Sequence, residues 1–252
     1  MMKRRRINYN KKLKNNVLNS SITSLPNELL SEVVARVASS SFMDYINAKL
    51  SCKIFNGVSD DRYVYRHISL EEFPTGGSSW KRDNEERENK LSLFMRTCGE
   101  CGNAEALYQK GVVDFFRKER PEYAMKYLVK AAETGHLGAQ YIISLIQVIM
   151  GDEELKQKAI ASIGTMKATK PLRRALGECR KNLAHILRSI WVLNPMVLGQ
   201  NPPCCSLHYK RSYKNKWRQW PSFDDEDDDD ADFCCYACSC DEEVAHLLNI
   251  LP

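Results

Sequence analysis

The chain has 252 residues, 43% of them hydrophobic, and a formal net charge of +5. That length allows one large domain or two small ones, and that apolar fraction excludes a wholly disordered chain. Charge is modest in sum but uneven along the sequence, which argues against one continuous basic binding face.

Glycine is sparse at 12, and no β-branched run alternates with period two. Apolar residues recur instead at three- and four-residue steps, so the expected fold class is all-α. The longest apolar run, around Tyr141 to Met150, is too short to span a bilayer. No apolar core follows the N-terminal basic residues, so they do not read as a secretory signal. The expectation is an intracellular protein of the nucleus and/or cytoplasm, with no membrane partner. In that setting the ten cysteines default to reduced thiols or metal ligands rather than disulfides. No Ser/His/Asp set, phosphate-binding glycine loop or His-Glu-x-x-His pattern is present, and no catalytic residue is assigned.

Residues 1–21 read as a basic disordered tail, with Lys3, Arg4, Arg5, Arg6, Lys11, Lys12 and Lys14 and no acid between 3 and 14. A solvated tail and a nuclear-import signal are both open readings. A first helix is expected to begin with Ser24 as N-cap, Pro26 in the first turn and Glu28 near the positive end of the helix dipole. Leu25, Leu29, Leu30, Val33, Val34 and Val37 make an apolar stripe too wide for a solvated helix. Ser39-Ser40-Ser41 breaks it. A second helix carries Phe42, Met43, Ile46 and Leu50, runs through Cys52-Lys53-Ile54-Phe55 and ends at Gly57. A third covers Asp60 to His67 with Tyr63, Val64 and Tyr65. So small a unit has surplus apolar surface and is marginal alone, which favours a docking role over catalysis.

Residues 22–68 resemble an F-box. The family's opening Leu-Pro-x-Glu-Leu-Leu is matched by Leu25-Pro26-Asn27-Glu28-Leu29-Leu30, and its Cys-Lys-x-Phe element by Leu50-Ser51-Cys52-Lys53-Ile54-Phe55. The closing aromatic segment is matched by Tyr63-Val64-Tyr65. The middle departs, with Phe42-Met43-Asp44-Tyr45 in place of a Leu-led segment. The resemblance implies a three-helix unit that docks a Skp-type adaptor. The residues it implies for that contact are Leu25, Pro26, Leu29, Leu30, Val33, Val37, Phe42, Leu50, Cys52, Phe55, Tyr63 and Tyr65.

Residues 69–90 read as a linker, with turn-forming Pro74-Thr75-Gly76-Gly77-Ser78-Ser79 and a charged run from Lys81 to Lys90. Helix is expected to resume by Leu91. An internal repeat follows: Gly102-Asn103-Ala104-Glu105-Ala106-Leu107-Tyr108 and Gly135-His136-Leu137-Gly138-Ala139-Gln140-Tyr141 align at an offset of 33. That period, with small residues alternating against Tyr108, Phe115, Tyr127 and Leu128, marks a tetratricopeptide-like solenoid over 91–193. Its wording resembles the Sel-type subgroup. Segments 152–166 and 171–191 are expected to cap the stack. Cys98 and Cys101 sit at a turn with no second pair nearby and read as structural.

Residues 194–252 read as a Cys-rich, largely irregular tail with a basic part and an acidic part; Asp224 to Pro252 holds eleven acids and no Lys or Arg. Cys205, His208, Cys235 and Cys238 form two pairs about 30 residues apart, a donor set that suits zinc. Unpaired thiols in a mobile tail are the alternative. Lys210, Arg211, Lys214, Lys216 and Arg218 lie among Tyr209, Tyr213, Trp217 and Trp220. They could meet nucleic acid, but the adjacent acids could neutralise them, so nucleic acid is not the expected partner. The combination resembles plant F-box proteins with a Sel-type repeat region and a Cys-containing tail. That resemblance implies a substrate receptor of an SCF-type (cullin–RING) ubiquitin ligase, recruiting an unknown target through the repeats and performing no chemistry itself. The alternative is a helical-repeat scaffold with a zinc-binding tail and no ligase role.

Overall fold

A computed structural model describes residues 22, 25–71, 73, 85–117, 121–194 and 235–251. All regular structure among them is helical, and the chain divides into two compact units, residues 1–69 and 70–252. No described helix is long and apolar enough to cross a membrane.

The first unit holds α1 (Asn27–Ser40), α2 (Phe42–Ser51), α3 (Lys53–Ser59) and α4 (Arg62–His67). Pro26 stands at the N-cap of α1, one place before the first turn in which it was expected, and provides no side-chain cap. Ser24 lies outside the described residues. At Ser41 the backbone is extended and its hydroxyl accepts from the Asp44 N–H at 3.2 Å, so one residue ends α1 and caps α2.

The expected second helix, running on to Gly57, is instead two helices. Cys52 is extended at φ −158°, and its sulfur accepts from the Phe55 N–H at 3.5 Å, capping α3. Gly57 lies inside α3. Cysteine is not among the common N-cap residues, which is why the break was not foreseen. Asp61 caps α4, accepting from the Tyr63 N–H at 2.7 Å.

Leu30, Val34 and Ala38, spaced by four, are the inward row of α1 and pack in the core of this unit with Tyr45, Val58, Val64 and Ile68. The buried Tyr45 hydroxyl donates to the Ser59 carbonyl at 3.3 Å, tying α2 to the end of α3. After α4, the Ser69 N–H donates to the Ala38 carbonyl at 2.8 Å and brings the chain back to the end of α1.

The second unit holds α5 (Glu85–Glu100), α6 (Ala104–Arg117), α7 (Pro121–Glu133), α8 (Leu137–Met150), α9 (Glu153–Met166), α10 (Lys170–Arg188) and α11 (Tyr236–Ile250). Helix α5 begins six residues before Leu91, inside the charged run read as linker. Phe73 stacks on Phe94 with ring centroids 5.2 Å apart.

The repeat has a physical basis at both of its turns. Gly102 and Gly135 each take φ +89°, a left-handed value that glycine adopts without a Cβ penalty. In the first turn Gly102 N–H donates to the Gly99 carbonyl and Asn103 N–H to that of Cys98. In the second, Gly135 donates to Ala132 and His136 to Ala131. This is the paired bonding of a Schellman helix end. The residue after each glycine then caps the next helix: Asn103 Oδ1 accepts from Ala106 N–H at 3.1 Å, and His136 Nδ1 from Ala139 N–H at 3.0 Å.

Close packing explains the small residues. A Cβ on Gly111 would lie 2.7 Å from Leu128 Cγ and 3.1 Å from the Ala124 carbonyl oxygen, so α6 and α7 approach where glycine leaves room. The core of this unit runs through Val112, Phe116, Leu128, Ile142, Leu145, Ile163, Leu176 and Leu183 to Cys240 and Leu247.

The last two of those belong to α11, which corrects the reading of 194–252 as largely irregular. Residues 236–250 form a helix whose inner face carries Cys240, Glu243, Val244 and Leu247 into the core. Tyr236 at its start lies over Gly164, where a Cβ would come 2.9 Å from the ring.

Candidate functional site

The surface expected to dock a partner splits into three groups once the first unit is folded. Leu25, Pro26, Leu29, Leu50 and Tyr63 are exposed; Val33, Val37, Phe42, Cys52, Phe55 and Tyr65 are half-buried; Leu30 is buried at 1% exposure. Leu30 therefore packs the unit together and offers no contact surface. The adjacent Leu29 is 47% exposed, because a step of 100° along the helix carries it from the core to the outer edge. Met43 and Ile54 are also exposed apolar side chains, at 55% and 40%, and are not among the expected contact residues.

Small helices hold these side chains in place. Tyr63 stands on the first turn of α4 with its ring 4.4 Å from that of His67, whose Nδ1 contacts the Tyr63 carbonyl at 2.7 Å. Lys49 pairs with Asp60, which also accepts from the Tyr65 hydroxyl at 2.8 Å. Burial tends to raise the Asp60 carboxyl, but the Lys49 and Tyr65 hydrogen bonds prevail and hold it below its ordinary range. Leu50, at the end of α2, is 77% exposed. Leucines and a tyrosine thus stand exposed on a unit whose core is small.

The repeat unit carries one half-buried polar cluster and one buried one. In the first, Glu105 accepts from Gln109 Nε2 at 3.0 Å and faces His136 Nε2 at 2.8 Å. His136 Nδ1 already accepts the Ala139 N–H, so its Nε2 carries the proton that goes to Glu105. Burial pushes the Glu105 carboxyl up, and the His136 and Gln109 hydrogen bonds bring it below its ordinary value. Tyr108 stacks on the His136 ring at 4.6 Å. The nearby Cys179 thiol is raised to about 11, chiefly by burial and then by the Glu105 charge, which makes it a poor nucleophile.

Glu243 of α11 is the centre of the second cluster, 1% exposed. Lys167 Nζ lies 2.6 Å from its carboxylate, Arg180 Nε donates at 2.9 Å with a second guanidinium contact, and the Tyr141 hydroxyl donates at 2.9 Å. Lys167 also donates to Ser239 Oγ at 2.8 Å. Burial would raise the Glu243 carboxyl, but the Arg180 and Lys167 charges prevail and hold it at about 2. Sequence reading missed this cluster: the acids of the tail looked solvated, and the partner cations lie 63 and 76 residues away.

Of the four residues expected to hold zinc, Cys205 and His208 lie outside the described residues. Cys235 and Cys238 open α11, where the Cys235 sulfur caps the helix by accepting from the Cys238 N–H at 3.4 Å. The described residues thus supply two of the four donors, and among them no group of three or more His, Cys, Asp or Glu could hold a metal ion. The basic, Trp-containing stretch at 209–220 also lies outside them. Cys98 is fully buried, and burial together with Cys101 pushes its thiol up to about 12, in keeping with a structural residue.

Comparison with known proteins bears on both units. A family model for plant tetratricopeptide repeats matches residues 78–188. An Arabidopsis thaliana protein named for an F-box, At1g67623, is 28% identical over 181 residues, which cover 71% of this chain and 58% of the relative. F-box protein At2g35280 of the same plant is 26% identical over 64% of this chain and 93% of its own length. F-box protein At1g67340 is 24% identical over 50% of this chain and 32% of its own length. This chain thus corresponds to little more than half of the first relative and about a third of the third. No solved structure matches.

Proposed function

We propose that this chain, which the repeat match and the relatives together support as a plant F-box protein with helical repeats, is a substrate-receptor subunit of an SCF-type ubiquitin ligase. In this reading the first unit docks a Skp-type adaptor and the second recruits a target protein. The observation that carries it is the set of exposed apolar side chains, Leu25, Leu29, Leu50 and Tyr63, on a unit whose own core consists of a few residues. A helical face of this kind is read by a partner through a few apolar anchors. The subunit itself would do no bond chemistry, since ubiquitin transfer belongs to other members of such a ligase.

Co-purification with a Skp-type adaptor tests the reading. Leu25→Ala with Pro26→Ala should abolish capture of the adaptor at matched expression, while the repeat unit stays folded. Full capture by that double variant would sink the assignment.

A further inference from the structure

Two pairs of cysteines in this chain are spaced by three, Cys98 with Cys101 and Cys235 with Cys238, and the fold gives them opposite surroundings. Cys98 is fully buried in the last turn of α5, where burial together with Cys101 pushes its thiol up to about 12. A thiol so placed is inert. Cys235 and Cys238 are both half-buried, within reach of solvent, and carry no disulfide.

The second pair opens α11. Cys235 is the N-cap, with an extended backbone at φ −168° and ψ 165°, and its sulfur accepts from the Cys238 N–H at 3.4 Å. That bond turns the Cys235 side chain back over the first turn, onto the residue that carries the other thiol. Across three helical steps the two Cα atoms stand roughly 5 Å apart, inside the span that a disulfide bridges. The turn is also held from α9: Tyr236 lies over Gly164, and Lys167 Nζ donates to Ser239 Oγ at 2.8 Å. Two thiols fixed on one ordered turn react with each other in preference to a second thiol from solution.

We propose that Cys235 and Cys238 form a redox couple, a dithiol that a small disulfide such as glutathione disulfide converts to an intramolecular disulfide across the first turn of α11. One cysteine, as thiolate, attacks a sulfur of the glutathione disulfide, breaks that S–S bond and releases one glutathione thiolate. The other cysteine then attacks the cysteine sulfur of the mixed disulfide, forms the Cys235–Cys238 bond and releases the second glutathione. Two cysteine thiols lose two electrons, one glutathione disulfide gains them, and the two protons pass through solvent to the departing glutathiones. Excess glutathione runs both steps backwards. Where glutathione keeps most thiols reduced, the disulfides that do form are exchange or sensing pairs of this kind.

The full chain is equilibrated in buffers of graded reduced and oxidised glutathione with a chelator present, then quenched in acid, unfolded and alkylated. The mass of the peptide that contains residues 235–238 is measured at each ratio. Both thiols should be lost to alkylation together as the buffer becomes oxidising, with two hydrogens gone and no glutathione attached, and should return on reduction. Cys98 and Cys101 should alkylate at every ratio. Cys238→Ser should stop at a glutathione adduct on Cys235, and Cys234→Ser should keep the wild-type transition. Thiols at 235 and 238 that alkylate at every ratio, or a wild type that stops at the adduct, overturn the couple. A transition lost in Cys234→Ser and kept in Cys235→Ser assigns the bond to the neighbouring residue and overturns it too.

Discussion

The Tyr141 hydroxyl donates a 2.9 Å hydrogen bond to the Glu243 carboxylate across 102 positions of sequence. Through it the second repeat is joined to the helix that closes the domain, at a point where Lys167 and Arg180 also converge. Removing the carboxylate takes from two nearly buried cations the anion that they share. Glu243→Ala should therefore cost about 3–5 kcal/mol, as measured for one-sided deletion of buried pairs. A lower urea midpoint with an unchanged slope checks it, and a midpoint equal to wild type would show that α11 is held by its apolar face alone.

Acid should loosen the same helix in two stages. His246 is lowered to about 4, first by burial and then by Arg180 and Lys167 against the opposing Glu243 charge. The unfolded chain takes up that proton near 6.5, so the stability His246 provides is full above that pH and is lost as pH falls towards 4. Glu243, held at about 2 against an ordinary 4.5, adds a second loss from 4.5 down towards 2. Unfolding midpoints across pH 3–7 should fall steadily towards acid in wild type. His246→Phe should flatten the upper part of the curve, and a curve unchanged by that substitution would exclude His246 as its source.

Gly111 faces Leu128 where α6 and α7 meet, and a methyl group there collides with the leucine. Gly111→Ala should destabilise the repeat unit by about 1–3 kcal/mol through overpacking. Leu128→Ala alone opens a cavity and should cost about 2–5 kcal/mol. The double variant should cost less than the two combined, since each change makes room for the other. The coupling is partial, because the Ala124 carbonyl oxygen 3.1 Å away remains. Additive losses in thermal unfolding would argue against this contact.

Leu29 and Leu30 offer a paired contrast. Leu30→Ala should cost about 2–5 kcal/mol by emptying part of the core of the first unit. Leu29→Ala, at an exposed position, should change stability by less than about 0.5 kcal/mol. Both would weaken partner binding in the proposed reading, but only Leu30→Ala should also lower the unfolding midpoint. Equal midpoints would mean that α1 sits differently from the arrangement described.

Helix content and the repeat were legible because their signals are local. Apolar residues at three- and four-residue steps report an amphipathic helix wherever it packs, and Gly102 and Gly135 recur because the same turn needs the same left-handed residue twice. The division of α1 was not legible: Leu29 and Leu30 are the same amino acid, and only the placement of α2 to α4 decides which one faces inward. Cys52 hid the break between α2 and α3, since a sulfur cap leaves no mark that distinguishes it from a small core residue. Helix α11 was masked by charge. Asp241, Glu242 and Glu243 continue an acidic composition that reads as solvated, and the cations that pair with Glu243 come from the C-cap of α9 and from α10. A contact made across more than sixty residues has no local pattern to betray it.

The position of α11 has a consequence for how the second unit is made. A ribosome releases α5 to α10 first, so Tyr141, Lys167 and Arg180 emerge from the tunnel well before their carboxylate is synthesised. During that interval the cations lack the Glu243 carboxylate, and the apolar surface that α11 later covers lies open to water. The repeats can therefore pack before α11 exists, but their core is complete only once Glu243 joins Lys167 and Arg180. A stalled or truncated product lacking α11 would present that apolar surface as a handle for chaperones or proteolysis.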